Sequence, residues 1–116
     1  MLASTKEKDI ILNIKKGLSI NQQDSKGHTL LHHAFIKNNN LKEFLLKNGA
    51  LANIKNLNGQ TPIFFAKSQE DISLLLKYGA LITVSDVYLK KAYDVNPIVK
   101  QFMVNNENLF NNKKFK

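Results

Sequence analysis

Two stretches of the chain can be laid over one another. DSKGHTLLHHA (24–34) and NLNGQTPIFFA (56–66) share Gly27 and Gly59, Thr29 and Thr61, and Ala34 and Ala66, each pair 32 positions apart. A second block follows each: LKEFLLKNGALANIKN (41–56) and DISLLLKYGALITV (71–84). Their glycines, Gly49 and Gly79, stand 30 apart, so the second unit is shortened between its halves. DIILNIKKGLSINQQD (9–24) is an earlier copy of this block, with Gly17 lying 32 positions before Gly49. A period of this size constrains the fold more than composition can. Each unit is too small to bury its own apolar face, and stacking on its neighbours is the way to do so.

Each unit reads as helix, short loop, helix, then an extended turn. Thr29 and Thr61 stand where an N-cap hydroxyl would satisfy orphan backbone donors, and Pro62 follows at the first helical position, where its missing N–H costs little. The second helices carry closely spaced apolar residues: Leu41, Phe44, Leu45 and Leu46, then Ile72, Leu74, Leu75 and Leu76. Gly49 and Gly79 are expected to end them in a left-handed conformation. Asp24 to Gly27 and Asn56 to Gly59 have the composition of tight turns, with Asx first and Gly fourth.

At these residues a resemblance becomes specific. TLLHHA (29–34) and TPIFFA (61–66) are similar to the ankyrin signature T-P-L-H-x-A, and each is followed by LLKNGA or LLKYGA. The resemblance implies an all-α ankyrin-repeat solenoid of stacked helix-turn-helix units with β-turn finger connections. One domain is expected over 1–106, with repeats at 24–55 and 56–84 and an N-terminal cap helix and finger at 5–23. Residues 85–106 read as a diverged C-terminal capping repeat. There Ile98 to Val104 follow the second-helix pattern, Ser85 and Tyr88 take the places of Thr and His, and the finger before them is cut short. Residues 107–116 read as a polar basic tail.

Three histidines crowd GHTLLHHA (27–34), which alone could suggest a metal site or a general base. The resemblance places His32, with Thr29, in a hydrogen-bond network joining a turn to the next repeat. Its counterpart Phe64 can neither ligate a metal nor accept a proton. His28 falls at a variable exposed turn position and His33 near the concave face. Zinc needs three or four converging ligands, and the chain has no cysteine to supply them. No metal site and no cofactor are expected.

Catalysis finds no support. Gly27 is a turn glycine with no G-K-[ST] after it, so no phosphate loop is present. Ser25, Asp24 and His28 are a nominal triad set that one turn can hardly arrange as nucleophile, base and orienter. Glu70 and Asp71 begin a helix, where they complement its macrodipole. The chain is expected not to be an enzyme.

Hydrophobic residues make up 43% of the 116 positions and charged ones 22%, the balance of a folded chain rather than a disordered one. The absence of cysteine excludes a disulfide framework and a thiol nucleophile. No apolar run is long enough for a signal-peptide core or a membrane span, so the expected compartment is the cytoplasm, with signal-independent export still compatible. The formal net charge is +8, and all 17 basic residues are lysine. Lysine is a hydrated point charge without the guanidinium fork that reads base edges, so the charge favours an acidic protein face or a polyanion over sequence readout.

Binding remains. The resemblance implies recognition of a partner protein through turns and first helices on the concave side. Carried onto this chain, those positions are Gln23, Ser25, Lys26, His28, Ile36 and Lys37, then Lys55, Leu57, Asn58, Gln60, Ser68 and Gln69. Leu57 is the most telling, since an apolar residue at a turn tip gains nothing from solvent. Gly27, Thr29, His32, Ala34, Gly49, Gly59, Thr61, Pro62, Ala66 and Gly79 carry the structural pattern. Phe35, Phe64 and Phe65 replace residues of other kinds and are expected to repack the space between helix pairs. The leading reading is a non-catalytic adaptor, inhibitor or immunity-type protein whose partner has an acidic face. The alternative is polyanion or nucleic-acid binding through Lys6, Lys8, Lys15 and Lys16 at one end and Lys113, Lys114 and Lys116 at the other. The aromatics sit at core-like positions away from the lysines, which argues against a stacking platform. A monomer is expected, or a weak homodimer through Ile10, Ile11 and Ile14.

Overall fold

The structure, a computed structural model, describes the backbone of residues 2–107 and the side chains of 7–107. Six α-helices and one 3₁₀ turn follow in order: α1 (Leu2–Lys15), α2 (Leu30–Ile36), α3 (Lys42–Lys47), the 3₁₀ turn Pro62–Phe65, α4 (Gln69–Lys77), α5 (Ala92–Val95) and α6 (Pro97–Asn105). Among the described residues there is no strand, and a lone antiparallel bridge joins Ser85 to Lys91. First helices stack on first helices: α2 packs against the 3₁₀ turn, which packs in turn against α5. Each also meets the second helix of its own unit, α2 with α3, the 3₁₀ turn with α4, and α5 with α6. The fold is the expected all-α solenoid.

Its core runs along the stack rather than filling a sphere. Leu31, Phe35, Leu45, Ile63, Ile72, Leu75 and Val99 are all fully buried, and each contributes about 1.5–3 kcal/mol by leaving water. Phe35 and Phe64 are buried between helix pairs, the repacking anticipated for them, while Phe65 is half-buried. Gly17, Gly49 and Gly79 take φ of +94°, +100° and +91° just beyond their helices, as helix-ending glycines do.

Asparagines absent from the reading above fasten one unit to the next. The Asn21 amide donates to the Gly49 carbonyl at 3.2 Å and accepts from the Leu51 N–H at 2.8 Å. Asn53 repeats both bonds 32 positions on, to Gly79 at 2.9 Å and from Leu81 at 2.9 Å. A primary amide suits this place because one side chain offers both donor and acceptor. Asn96 serves the third unit, donating to the carbonyls of Phe64 and Ala66 at 3.0 Å each.

The two threonines differ. Thr29 caps α2: its hydroxyl meets the His32 N–H at 3.3 Å, and His32 Nδ1 accepts from the Thr29 N–H at 3.1 Å. Thr61, expected to do the same, makes no capping bond, and its buried hydroxyl has no hydrogen-bond partner among the described residues. The reason is Phe64. Its N–H, the counterpart of the one that Thr29 caps, goes to the Thr61 carbonyl at 3.0 Å in a four-residue 3₁₀ turn, and its ring has no nitrogen to meet the hydroxyl as His32 Nδ1 does for Thr29. Thr61→Val is therefore expected to raise stability by about 1 kcal/mol, whereas Thr29→Val lowers it by a similar amount. Urea midpoints of the two variants check the opposite signs.

The C-terminal unit requires a correction. Its turn opens at Asp86, whose N–H meets the Lys90 carbonyl at 2.8 Å while the Leu89 N–H meets the Asp86 carbonyl at 3.0 Å. Asp24 and Asn56 make the same bonds with His28 and Gly27, and with Gln60 and Gly59. Ser85 and Tyr88 are thus not the Thr and His counterparts; Lys91 and Asp94 are. The finger is not cut short either, since Gly79 to Lys91 spans the same interval as Gly49 to Thr61. The missing glycine hid this register. Leu89 occupies the glycine position with φ +64°.

Candidate functional site: the finger edge and concave face

Asp24, Asn56 and Asp86 build the finger tips in the same way. Each side chain accepts two backbone N–H bonds of its own turn: Asp24 from Lys26 and His28, Asn56 from Asn58 and Gln60, Asp86 from Tyr88 and Lys90, all between 2.8 and 3.0 Å. The tips then join one another. The Leu57 N–H meets the Lys26 carbonyl at 3.0 Å, and the Val87 N–H meets the Asn58 carbonyl at 2.9 Å. The result is a continuous ribbon of turns along one edge of the solenoid.

What the ribbon shows to solvent changes along its length. Ser25 and Lys26 are exposed at the first tip, and Leu57 (72% exposed) and Asn58 at the second. The third presents Val87, Tyr88 and Leu89, the last 83% exposed. Sequence reading missed these three because it put the third turn out of register, and Tyr88 is not at a core-like position as the aromatics were expected to be. The signal available was the Asp86-to-Lys90 interval, which matches Asp24-to-His28.

The other anticipated contact positions are distributed unevenly. Gln23, Lys37 and Lys55 are exposed, and Gln23 also bonds the carbonyls of Gly27 and Lys55 at 2.8 and 2.9 Å. Ile36 is half-buried. The Gln60 side chain bonds Asn56 at 3.2 Å, and its carbonyl receives His32 Nε2 at 2.8 Å. Ser68 caps α4 through the Asp71 N–H at 3.1 Å, and Gln69 donates to the Ile98 carbonyl at 3.1 Å. These last two side chains are engaged within the stack. Lys8, Lys15 and Lys16 are exposed on or beside α1, whereas the Lys6 side chain and Lys113, Lys114 and Lys116 lie outside the described residues.

His28, expected to be exposed, is half-buried in a ring cluster. Its ring centroid lies 5.3 Å from His32, 5.2 Å from His33 and 6.0 Å from Phe65. His33 Nε2 contacts Asp24 at 2.8 Å, and this hydrogen bond holds the Asp24 carboxyl down at about 2. Because His32 Nδ1 accepts from the Thr29 N–H, its Nε2 carries the proton given to the Gln60 carbonyl. Burial lowers the pKa of both His28 and His32 from the ordinary 6.5. A proton added at His32 Nδ1 would face the Thr29 N–H donor to donor. Among the described residues no group of three or more His, Cys, Asp or Glu is arranged to hold a metal ion.

The unfolded chain therefore takes up protons first as pH falls, and stability present above about pH 6.5 is lost below it. The urea midpoint is expected to drop between about pH 7.5 and about pH 5.5, and to drop less in His28→Gln. Asp24 acts lower down, its contribution present above the ordinary carboxylate range and lost as pH falls towards about 2.

Among the described residues no helix is long and apolar enough to cross a membrane. A search of curated proteins returned no match to the chain. The family model for ankyrin repeats (3 copies) matches residues 1–86, well over half of the sequence. Its members are in general protein–protein interaction modules and typically non-catalytic. With the TLLHHA and TPIFFA blocks, the stacked helix pairs and the finger ribbon, that match makes this chain a member of the ankyrin-repeat family.

Proposed function

We propose that the chain is a non-catalytic binding module whose finger edge and adjoining concave face hold a partner protein. The observation that carries this is Leu89. Its backbone lies in the left-handed region that glycine takes in the two other turns, a strain of about 1–2 kcal/mol for leucine, and its side chain is 83% exposed. Folding gains nothing from leucine there. Together with Leu57, Val87 and Tyr88 it forms an apolar strip beside exposed Lys26, Lys55 and Lys90. An apolar centre with a charged rim suits a protein surface, and lysine at the rim favours an acidic one. Adaptor, inhibitor and immunity-type roles all work by occupying such a surface.

Leu89→Gly separates stability from function. It is expected to raise stability by about 1 kcal/mol and to weaken partner binding at least fivefold. Partners are to be captured from source-cell lysate with tagged protein, with and without nuclease, at low and moderate salt. One stoichiometric protein that survives nuclease and salt supports the reading. Nucleic acid alone, lost on nuclease or salt, contradicts it and turns the lysines into a polyanion-binding surface.

A further inference from the structure

We infer that the joint between the first and second fingers is a pH-sensitive latch, closed while His28 and His32 are neutral and opened when they take up protons. Both rings are part of the joint. The Leu57 N–H meets the Lys26 carbonyl at 3.0 Å, Gln23 reaches the Lys55 carbonyl at 2.9 Å, and His32 Nε2 donates to the Gln60 carbonyl at 2.8 Å. His28 completes it through Asn56. Asn56 Oδ1 accepts the Asn58 and Gln60 N–H groups at 2.9 and 3.0 Å, which turns the amide nitrogen to His28 Nδ1 at 3.4 Å. That ring nitrogen is therefore an acceptor.

A second proton on either ring meets a donor: the Asn56 amide at His28 Nδ1, the Thr29 N–H at His32 Nδ1. The groups around the cluster give little relief. Asp24 draws protons to both rings, but its Oδ2 is engaged by His33 at 2.8 Å and its Oδ1 by two N–H groups of its own turn. Lys26 and His33 oppose a charge on His28, and His28 and His33 oppose one on His32. The 3₁₀ turn presents Phe65, 6.0 and 6.1 Å from the two ring centroids. Helix α1 faces His28 with the uncharged Ile10, Asn13 and Ile14, while its Asp9 lines a hollow with His33 and Lys37. On α3, which also packs against α2, Lys42 pairs with Asp71 and Glu43 with Lys47. Burial outweighs the rest and pushes both rings below the ordinary 6.5. An opened finger restores that value, so the open form takes protons first. The latch is intact above about pH 6.5 and weakens as pH falls below it.

The next joint has no such device. The Val87 N–H meets the Asn58 carbonyl at 2.9 Å as Leu57 meets Lys26, but Gln60 and Phe64 stand in the places of His28 and His32 and do not titrate. Joints in a stack of repeats open locally, so acid loosens the ribbon between Lys26 and Leu57 and leaves it joined between Asn58 and Val87. What this does to a bound partner rests on the function proposed above; the opening itself does not.

The test accordingly needs no partner. Amide hydrogen exchange of the intact chain is followed by NMR at about pH 7.5 and about pH 5.5 and corrected for intrinsic rates, with circular dichroism verifying the fold at both. Protection of the Leu57 N–H is expected to fall about tenfold or more across that range, and that of the Val87 N–H by less than about twofold. His28→Gln offers Asn56 an acceptor that does not titrate, as Gln60 Oε1 already does at 3.2 Å. It is expected to make the Leu57 fall at least about threefold smaller. Equal falls at the two amides, Leu57 protection indifferent to pH, or a His28→Gln chain that falls as far as its parent would each overturn the latch.

Discussion

Gly59→Ala is expected to cost the fold about 2–4 kcal/mol, although it adds a single methyl group. Gly59 has φ +76°, and a Cβ there would lie 2.8 Å from the Val87 nitrogen and 3.1 Å from the Asp86 carbonyl carbon. Those neighbours are backbone, held by the Val87 N–H to Asn58 carbonyl bond that links the second finger to the third. Relief therefore means parting the ribbon. Gly49 is the control, with a similar φ of +100° but open space around its Cβ. Gly49→Ala should cost only the conformational part, about 1 kcal/mol. Urea unfolding of both variants measures the difference. Equal losses would mean that the fingers do not stack as described.

Lys42→Met is expected to cost about 3 kcal/mol. Lys42 Nζ lies 2.8 Å from Asp71 Oδ1, the two side chains 13% and 7% exposed, and 5.1 Å above the Phe35 ring. The other Asp71 oxygen accepts the Lys67 N–H at 2.8 Å. Removing the ammonium strands a buried carboxylate between two units. Asp71→Asn in the same chain removes that charge while keeping an acceptor for Lys67, so the double variant should recover most of the loss. Lys47→Met, which breaks an exposed pair with Glu43 at 3.8 Å, should change stability by less than about 0.5 kcal/mol. A Lys42→Met loss no larger than that would place the pair at the surface.

The repeat was legible in the sequence because glycines and alanines recur wherever the backbone, not the side chain, sets the requirement. Gly27 and Gly59 serve as turn residues, and Ala34 and Ala66 as small residues between helices, in any context. Residues chosen by their partners were harder to read. Asp71 looked like a helix-start carboxylate, since Lys42, which pairs with it, lies 29 positions away in another unit. Thr61 looked like a cap, but the Phe64 N–H it would have capped is taken by the Thr61 carbonyl in a 3₁₀ turn, which the sequence did not announce. Asn21 and Asn53 recur at the repeat interval and could have been found, though only geometry reveals that each spans a neighbour's loop.

The finger edge was half legible for a related reason. Leu57 stood out because the glycine two places later fixed its turn. Leu89 removed that marker from the third turn, and with it the register that would have exposed Val87 and Tyr88. The residue that obscured the pattern is the one on which the binding proposal rests.

The affinity of the captured partner for Leu57→Asp/Leu89→Asp, compared with Glu43→Gln on the exposed face of α3, tests that proposal most directly. The finger variant is expected to lose at least a hundredfold in Kd while Glu43→Gln stays within about twofold of the parent chain. An unchanged Kd for the finger variant, with its fold verified by circular dichroism, would contradict the account and move the binding surface off the ribbon.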